Sequence, residues 1–394
     1  MKIFLGGFYM RVERKSFGKR ILDSFVGLLI GFLLFIGSFV VLFINEGREN
    51  LANYARVASE YNQENTYDEG DLVYIVDSLS ATSYAADNYL KDSDYIYVKR
   101  VVEMYAYVEN EHTETKENLG GSSTTTYTYS YETKWTQNPQ KTSTFQGDNN
   151  ELPQDIPSNY DVWINNMPNS NSDVATGITI DGIDVASGLD FSGANGLAIT
   201  ASDVKNLAGN ESVSGNYIYR ANNGSSSNTK VGDIRISFIV IKASDKGLLL
   251  ARYNNNKFEP FHTKKNSEIF RFFAGVESQN QAVQILNTEY KTTLWIMRLL
   301  GFLMMFIGLL LIANPVMTLL SVVPIFAKIG RFTYGIIAFV ISLVLSAITI
   351  LIAMIFNNIY LAIGVVVLLI VIVVLVLRSK KKKKDSTKAK KATA

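Results

Sequence analysis

The residue types that most often carry out catalysis are few in this chain and far apart. Its two histidines, His112 and His262, belong to neither an HExxH motif nor another close cluster of metal ligands, so the pattern does not indicate a zinc hydrolase. The chain contains no cysteine, which excludes disulfides, thiolate metal sites and cysteine nucleophiles. GxSxG, P-loop and GxGxxG motifs are also missing. We therefore predict no catalytic, cofactor-binding or metal-binding residue and do not expect an enzyme.

Two kinds of reactive site stay open as alternatives. Asp181, Asp184 and Asp190 lie among glycines and could bind a calcium ion, but their spacing is not that of an EF-hand loop. Ordinary turn acids are the simpler interpretation. A serine–lysine dyad has no reliable local pattern, so a membrane-tethered hydrolase with a dispersed site is kept as an alternative hypothesis.

An aromatic stripe is the most unusual candidate for a binding surface. Residues 95–109 and 124–137 alternate with the period of a half-buried strand, and Asn118-Leu119-Gly120-Gly121 between them favours a chain reversal. One face of this hairpin would carry Tyr105, Tyr107, Tyr127, Tyr129, Tyr131 and Trp135. Cross-strand aromatic pairs stabilise sheets, so packing explains the stripe. A face that binds a partner or a ligand is the alternative.

Four apolar runs must position everything else. They are long enough to cross a bilayer core of about 30 Å, and the first is too long for a cleaved signal peptide. The distribution of basic residues places both termini in the cytosol by the positive-inside rule. The predicted segments are a basic cytosolic N-terminus (1–20), span 1 (21–44), an extracytosolic domain (45–293), span 2 (294–313), a cytosolic or interfacial loop (314–333), span 3 (334–356), span 4 (359–377) and a basic cytosolic tail (378–394).

The polar region 45–293 is predicted to be rich in strands. Leu72–Leu79 and Ile234–Ile241 are β-branched runs of strand length, Leu51–Glu64 is predicted as a short helix, and a second helix is predicted from Gln279 through Trp295 into span 2. The fold class is a multi-pass α-helical membrane protein with four spans and a large β-rich α+β extracytosolic domain between spans 1 and 2. A net charge of +2 gives no field that would indicate nucleic acid.

Several membrane-proximal residues have predicted contacts. Gly27 and Gly31 form a GxxxG pair that can let another helix approach closely. Arg298 lies in the first turns of span 2 and is expected to extend toward the lipid headgroups. The lysine tail anchors the topology and is also predicted to contact anionic lipid; its residues are Lys380, Lys381, Lys382, Lys383 and Lys384.

The chain resembles the transmembrane protein 43 family, also called LUMA. The similar segments occur in the family's order and on its layout of one span, a large loop and three spans. They are Asn45-Glu46-Gly47-Arg48, Val102–Glu109, Tyr129-Ser130-Tyr131 with Trp135, Val231–Phe238, and Phe261 with Thr263-Lys264. The resemblance implies a structural protein without catalytic residues; animal members are described as proteins of the endoplasmic reticulum and inner nuclear membrane that self-associate and contact emerin and lamins.

The leading functional hypothesis is a non-enzymatic scaffold that organises membrane protein complexes, with the lipid bilayer, a second copy and other membrane proteins as partners. The first alternative is an envelope sensor that binds a ligand on the aromatic face. The absence of cysteine and the Asn- and Lys-rich composition favour a bacterial source and hence the plasma membrane; a eukaryotic member would lie in the endoplasmic reticulum or the inner nuclear membrane.

Overall fold

The computed structural model describes residues 9–357 except for 64–66, 68–69, 147–152, 154, 192–193 and 206. Within these limits the chain divides into two compact units. The β-rich unit contains residues up to 14, 49–116 and 124–290. The helical unit contains residues 15–48, 117–123 and 291 onward. The tip of one hairpin, 117–123, therefore belongs with the helices rather than with the strands.

Helices occupy both units in the described part of the chain. They are α1 (Phe17–Glu46), α2 (Leu51–Val57), α3 (Tyr160–Asn165), α4 (Gln279–Ile312), α5 (Asn314–Leu320) and α6 (Pro324–Asn357), with one 3-10 turn at Thr142–Thr144. Asn50 caps α2 by accepting a hydrogen bond from the Ala52 amide at 3.1 Å. The helix predicted over Leu51–Glu64 is too long, because Ala58 is already extended and residues 59–60 form a strand.

Three helical stretches among the described residues are long and apolar enough to cross a membrane. They are Phe17–Val57, which joins α1 and α2, Gln279–Ile312 and Ile329–Asn357. These stretches coincide with predicted spans 1, 2 and 3. Pro315 lies at the start of α5. Proline is tolerated there because a backbone amide in the first turn has no acceptor within the helix. Predicted span 4 (359–377) and the lysine tail lie outside the described residues.

The strands follow one another along the β-rich part of the sequence. They are β1 (Tyr9–Lys15), β2 (Ser59–Glu60), β3 (Leu72–Ser83), β4 (Tyr95–Glu117), β5 (Ser123–Thr136), β6 (Asn171–Val174), β7 (Thr176–Ile180), β8 (Ile183–Val185), β9 (Asn195–Gly196), β10 (Glu211–Ser214), β11 (Tyr217–Arg220), β12 (Ile234–Lys242), β13 (Lys246–Asn254), β14 (Lys257–Glu259), β15 (Phe261–His262), β16 (Glu268–Ile269) and β17 (Arg271–Ala274).

Two larger sheets organise the β-rich unit. One has the order β1-β5-β4-β12-β11-β10, with β6 beside β4 and β9 beside β12; the other has the order β17-β13-β14-β8-β7-β3-β2, with β13 also paired to β3. Strand β13 is buried on both faces. Leu249 and Ala251 point into a core with β3, β7 and β8, whereas Leu248 and Leu250 pack against α2 and the first turns of α4.

The β4–β5 hairpin is longer than the sequence suggested. The predicted strand 95–109 extends to Glu117, because the polar residues beyond Glu109 also pair with β5. Gly120 and Gly121 have φ of +82° and +80° at the reversal, a backbone conformation that glycine adopts without steric cost. The predicted chain reversal at 118–121 is therefore present.

The N-terminal segment contributes a strand to a sheet of the β-rich unit. Residues 1–20 are predicted as a cytosolic tail and 45–293 as a domain on the other side of the membrane, yet β1 and β5 are neighbours in one sheet. The polar segment YMRVERK has the alternation and the partner to extend a sheet. The assignment of residues 1–20 and 45–293 to opposite sides of the membrane stays a prediction.

Candidate functional site

An ion pair joins the C-terminal end of α1 to α4 inside the helical unit. The Glu46 carboxylate accepts hydrogen bonds from Nε and Nη2 of Arg298, each at 2.7 Å. The side chains of Glu46 and Arg298 are 4% and 16% exposed. The Arg298 guanidinium also lies 4.8 Å from the ring centroid of Trp295. This bidentate geometry is the strong form of an Arg–carboxylate pair.

The neighbours of Glu46 complete this junction. Asn45 is buried and donates from Nδ2 to the carbonyl oxygen of Leu294 at 3.0 Å. A Cβ atom on Gly47 would lie 2.9 Å from Oδ1 of Asn357, at the end of α6. Three consecutive residues thus lie where α1 meets α4 and α6, and two of them bond to α4. Arg298 binds the carboxylate that Glu46 offers on the adjacent helix, and its extension toward the headgroups stays a prediction.

A second charged cluster, the Glu117 cluster, consists of Arg20, Glu117 and Arg331. One carboxylate oxygen, Oε1 of Glu117, accepts from Nη2 of both arginines at 2.5 Å. Arg20 also donates to the carbonyl of Gly121 and, at 2.9 Å, to Oγ of Ser321. The side chains of Arg20 and Glu117 are 10% and 9% exposed, whereas Arg331 is 41% exposed. The cluster therefore has two cations for one anion.

Small residues set the distance between α1 and α4. A Cβ atom on Gly31 would lie 2.8 Å from the carbonyl oxygen of Gly308 and 2.9 Å from the amide nitrogen of Ile312. At Gly27 the nearest atom is Nδ2 of Asn314, 3.5 Å away, an ordinary contact. The close approach predicted for the GxxxG pair thus occurs at Gly31, and the helix that approaches is α4 of the same chain. The pattern of small residues is used within one molecule.

An arginine is enclosed by aromatic rings in the β-rich unit. The Arg235 guanidinium lies 4.5 Å from the Trp135 ring centroid and 4.8 Å from that of Tyr217. Its Nε donates to Oε2 of Glu103 at 2.7 Å. Glu103, Trp135 and Arg235 all come from the segments that resemble the transmembrane protein 43 family. They cross-link β4, β5 and β12, so their role here is to hold the sheet.

A buried carboxylate organises the polar loop between β11 and β12. Asp233 is fully buried, and its Oδ1 accepts hydrogen bonds from three consecutive amides, those of residues 222–224, at 2.9–3.0 Å. Its Oδ2 accepts from the Lys230 amide at 2.8 Å and the Tyr219 hydroxyl at 2.5 Å. Burial, and next the hydrogen bond to Asp233, raise the pKa of the Tyr219 hydroxyl. The Asn222–Asn228 loop is therefore largely exposed, while hydrogen bonds to Asp233 hold its first residues in place.

The aromatic stripe is not one accessible face. Tyr107 and Tyr129 are buried, at 5% and 1% exposure, and residues that follow the hairpin cover Tyr107 and Tyr131. The ring contacts are Tyr107 with Tyr160 (6.3 Å), Tyr131 with Phe145 (5.3 Å), Tyr105 with Trp135 (5.4 Å) and Tyr127 with the Arg11 guanidinium (4.4 Å). Burial raises the pKa of Tyr129 and of Tyr160 to about 12. Packing thus accounts for the stripe.

The other candidates from the sequence give little chemistry. No group of three or more His, Asp or Glu residues that could hold a metal ion occurs in the described part of the chain. Asp190 lies 3.6 Å from Nε of Arg271, and Asp181 accepts from the Gln63 amide group at 3.1 Å. A polar cavity of about 920 Å³ is lined by Arg100 with Gln137, Asn138 and Asn171 among others, and Arg100 is paired with Asp87 at 2.7 Å.

Sequence reasoning missed the Glu117 cluster entirely. Glu117 lies 97 positions after Arg20, and no local pattern relates the two residues. The Glu46–Arg298 pair spans 252 positions, although here a signal existed. An arginine inside an apolar run needs an anion or an exit to water, and Glu46 ends the preceding run.

The fold and the charged junctions define a membrane protein with several helices that can span a bilayer and one large β-rich unit. The chain belongs to the transmembrane protein 43 family, whose model matches residues 104–359. It is 25% identical to transmembrane protein 43 of Pongo abelii over 362 residues and of Homo sapiens over 361 residues, 86% of each chain in both cases. Identity to the Mus musculus protein is 24% over 356 residues, 85% of each chain. No solved structure matches the chain.

Proposed function

We propose that the protein is a non-catalytic membrane scaffold that organises membrane protein complexes by self-association and by contact with other membrane proteins. One observation carries this proposal: several charged residues of the segments shared with the family are engaged by partners within the chain. Glu46, Asp233 and Arg235 each have hydrogen-bonding partners in the chain. Groups engaged in this way hold a fold; they are not poised as acids, bases or nucleophiles.

The surface available for self-association is the outward side of the helices. Gly31 is engaged by α4, so a GxxxG contact between copies has no place at that position. Large apolar side chains on the three candidate spans are exposed in the helical unit, among them Leu33 at 71%, Leu299 at 58% and Ile348 at 47%. Such side chains face lipid or the helices of another membrane protein. The proposed location is the plasma membrane in a bacterium and the endoplasmic reticulum or inner nuclear membrane in a eukaryote.

Photo-crosslinking in native membranes tests the scaffold. A photoreactive amino acid replaces Leu33, Leu299 or Ile348, one per helix, and Leu42, which is fully buried, is the matched control. The proposal expects crosslinked dimers or larger species from at least one exposed position and none from Leu42. If every exposed position gave only uncrosslinked monomer, with no second copy and no other membrane protein attached, the proposal would be overturned.

A second candidate, a sensor, is favoured by α4. This helix begins in the core of the β-rich unit, where Ala282, Val283 and Leu286 are buried, and it continues without interruption to Ile312. The single helix predicted from Gln279 through Trp295 is therefore present, and it connects the two units covalently. The ligand would bind the Arg100 cavity rather than the covered aromatic stripe. Thermal-shift screening of the full chain and of Arg100→Gln would test this, and unaltered stability with every ligand would reject it.

A further inference from the structure

The Glu117 cluster has an excess of positive charge that no other carboxylate among the described residues of the helical unit is seen to neutralise. Two guanidinium groups share a single carboxylate oxygen, and the other groups bonded to Arg20 are a hydroxyl and a backbone carbonyl. Asp23, the carboxylate next along α1, is engaged by Lys15 at 3.1 Å. Each guanidinium has five N–H donors and no acceptor. The cluster can therefore accept a second anion.

The cluster lies where a bilayer provides such an anion. Arg331 is the third residue of the candidate span Ile329–Asn357, and Arg20 lies in the first turn of α1. Exposed apolar residues flank Arg331: Ile329, two positions before it, is 61% exposed and Phe332, directly after it, is 72% exposed. A guanidinium flanked by exposed apolar side chains at the start of a span matches the boundary between phosphate headgroups and acyl chains.

We propose that Arg331, supported by Arg20, binds the phosphate of an anionic phospholipid, and that Glu117 competes with this phosphate for the Arg331 guanidinium. The planar guanidinium fork matches a phosphate as well as a carboxylate. Arg20 is buried and stays with the hairpin tip. Arg331 is 41% exposed, so it can turn from Glu117 to a headgroup with little rearrangement. Lipid composition would then set how firmly the hairpin tip is held, beyond any role as a scaffold.

The competition gives opposite effects for two variants, which a merely structural role would not. The full chain is studied with Lys380–Lys384 replaced by glutamine, so that the tail does not mask the site. Native mass spectrometry measures how much phosphatidylglycerol and phosphatidylcholine are retained from an equimolar mixture. Arg331→Gln should lower phosphatidylglycerol retention roughly fivefold, the effect of one basic residue at a membrane surface. Glu117→Gln should raise it.

The matched control is Arg48→Gln, which removes an exposed arginine near the other end of α1 and should leave retention unchanged. Equal retention for the Arg331 and Arg48 variants, or a loss with Glu117→Gln, would overturn the proposal. A separate arm adds inorganic phosphate in place of lipid. If phosphate protects the protein against thermal unfolding while phosphatidylglycerol binds no better than phosphatidylcholine, the lipid assignment is also overturned.

Discussion

The two ends of the helical unit solve the problem of an arginine at a membrane boundary in different ways. At the Glu46 end, one arginine meets one carboxylate in a bidentate pair, and both side chains are mostly buried. At the Glu117 end, two arginines share one carboxylate oxygen, and one of them is substantially exposed. The first arrangement is closed and neutral. The second is open and carries a net positive charge, so it can respond to its surroundings.

The origin of the carboxylate also differs. Glu46 comes from one of the two helices that it joins, as the last residue of α1. Glu117 comes from the tip of a β-hairpin and is the last residue of β4. A junction built by neighbouring helices needs only those helices to form. A junction that includes a hairpin tip also requires that tip to lie beside the helix ends that it joins.

The largest expected effect is a difference in thiol labelling between the two sides of the membrane at the hairpin tip. The chain has no cysteine, so Leu119→Cys, at a position that is 83% exposed, introduces a single thiol. If Glu117 pairs with Arg20 and Arg331, this thiol should react with an impermeant maleimide from the cytosolic side, where the positive-inside rule places both arginines. Labelling from the opposite side alone would show that Glu117 cannot pair with Arg20 and Arg331 in a membrane. The contrast between the two ends of the helical unit would then be rejected.

Breaking the closed pair should cost more stability than breaking the open one. Glu46→Gln leaves Arg298 buried without its anion, which costs about 3–5 kcal/mol for a buried pair. Glu117→Gln should cost less, because Arg331 can be hydrated and Arg20 keeps its hydrogen bonds to the Gly121 carbonyl and to Ser321. Thermal unfolding of the full chain in detergent would measure both. The exchange Glu46→Arg with Arg298→Glu should recover part of the loss, and equal losses at the two ends would show that exposure is irrelevant.

The helix crossing between the two ends gives a third test. Gly31→Ala places a methyl group 2.8 Å from a backbone carbonyl, and overpacking of this kind costs about 1–3 kcal/mol. Gly27→Ala on the same face meets nothing closer than 3.5 Å and should be nearly neutral. Thermal unfolding would separate them. If both alanines leave stability unchanged but abolish crosslinking between copies, the glycines serve self-association and the internal crossing is not their role.

The smallest effect on stability is expected from buried tyrosines in the β-rich unit. These tyrosines belong to neither charged junction, so they serve as a reference for both. Burial raises the pKa of Tyr129 and Tyr160 to about 12, above the value of about 10 for an unfolded chain. The folded state therefore retains protons that the unfolded state releases, so stability is complete below pH 10 and falls as the pH rises from 10 to 12. Absorbance of ionised tyrosine followed with circular dichroism would check this. The difference between the unchanged chain and a variant with Tyr129→Phe and Tyr160→Phe isolates these two among the 21 tyrosines, and their ionisation at pH 10 without unfolding would contradict the prediction.

Much of the framework could be predicted because it depends on local pattern. The period-2 alternation of 95–109, the glycines at 120–121 and the apolar length of residues 21–44 each act within a short window. The continuous helix from Gln279 was also predicted, since nothing breaks it before Asn314-Pro315. These features need no knowledge of what lies opposite in the fold.

The contacts across long sequence distances were not predictable from one sequence. Whether Tyr107 and Tyr131 face solvent depends on Tyr160 and Phe145, which pack against them and which no local pattern relates to the hairpin. Likewise the charge on Arg298 is neutralised by a residue 252 positions away. The fourth span and the lysine contacts at 380–384 lie outside the described residues and stay predictions.

The anchored loop at Asp233 has a consequence for the chemical lifetime of the protein. Asn-Gly sequences such as Asn223-Gly224 age by deamidation, in which the glycine amide nitrogen attacks the asparagine side-chain carbonyl. Here that amide donates to Oδ1 of Asp233 at 3.0 Å, and the Asn223 side chain is held to the carbonyl of Val231 at 3.2 Å. Ring closure requires both hydrogen bonds to break, so the folded loop should stay intact far longer than the same sequence in an unfolded chain.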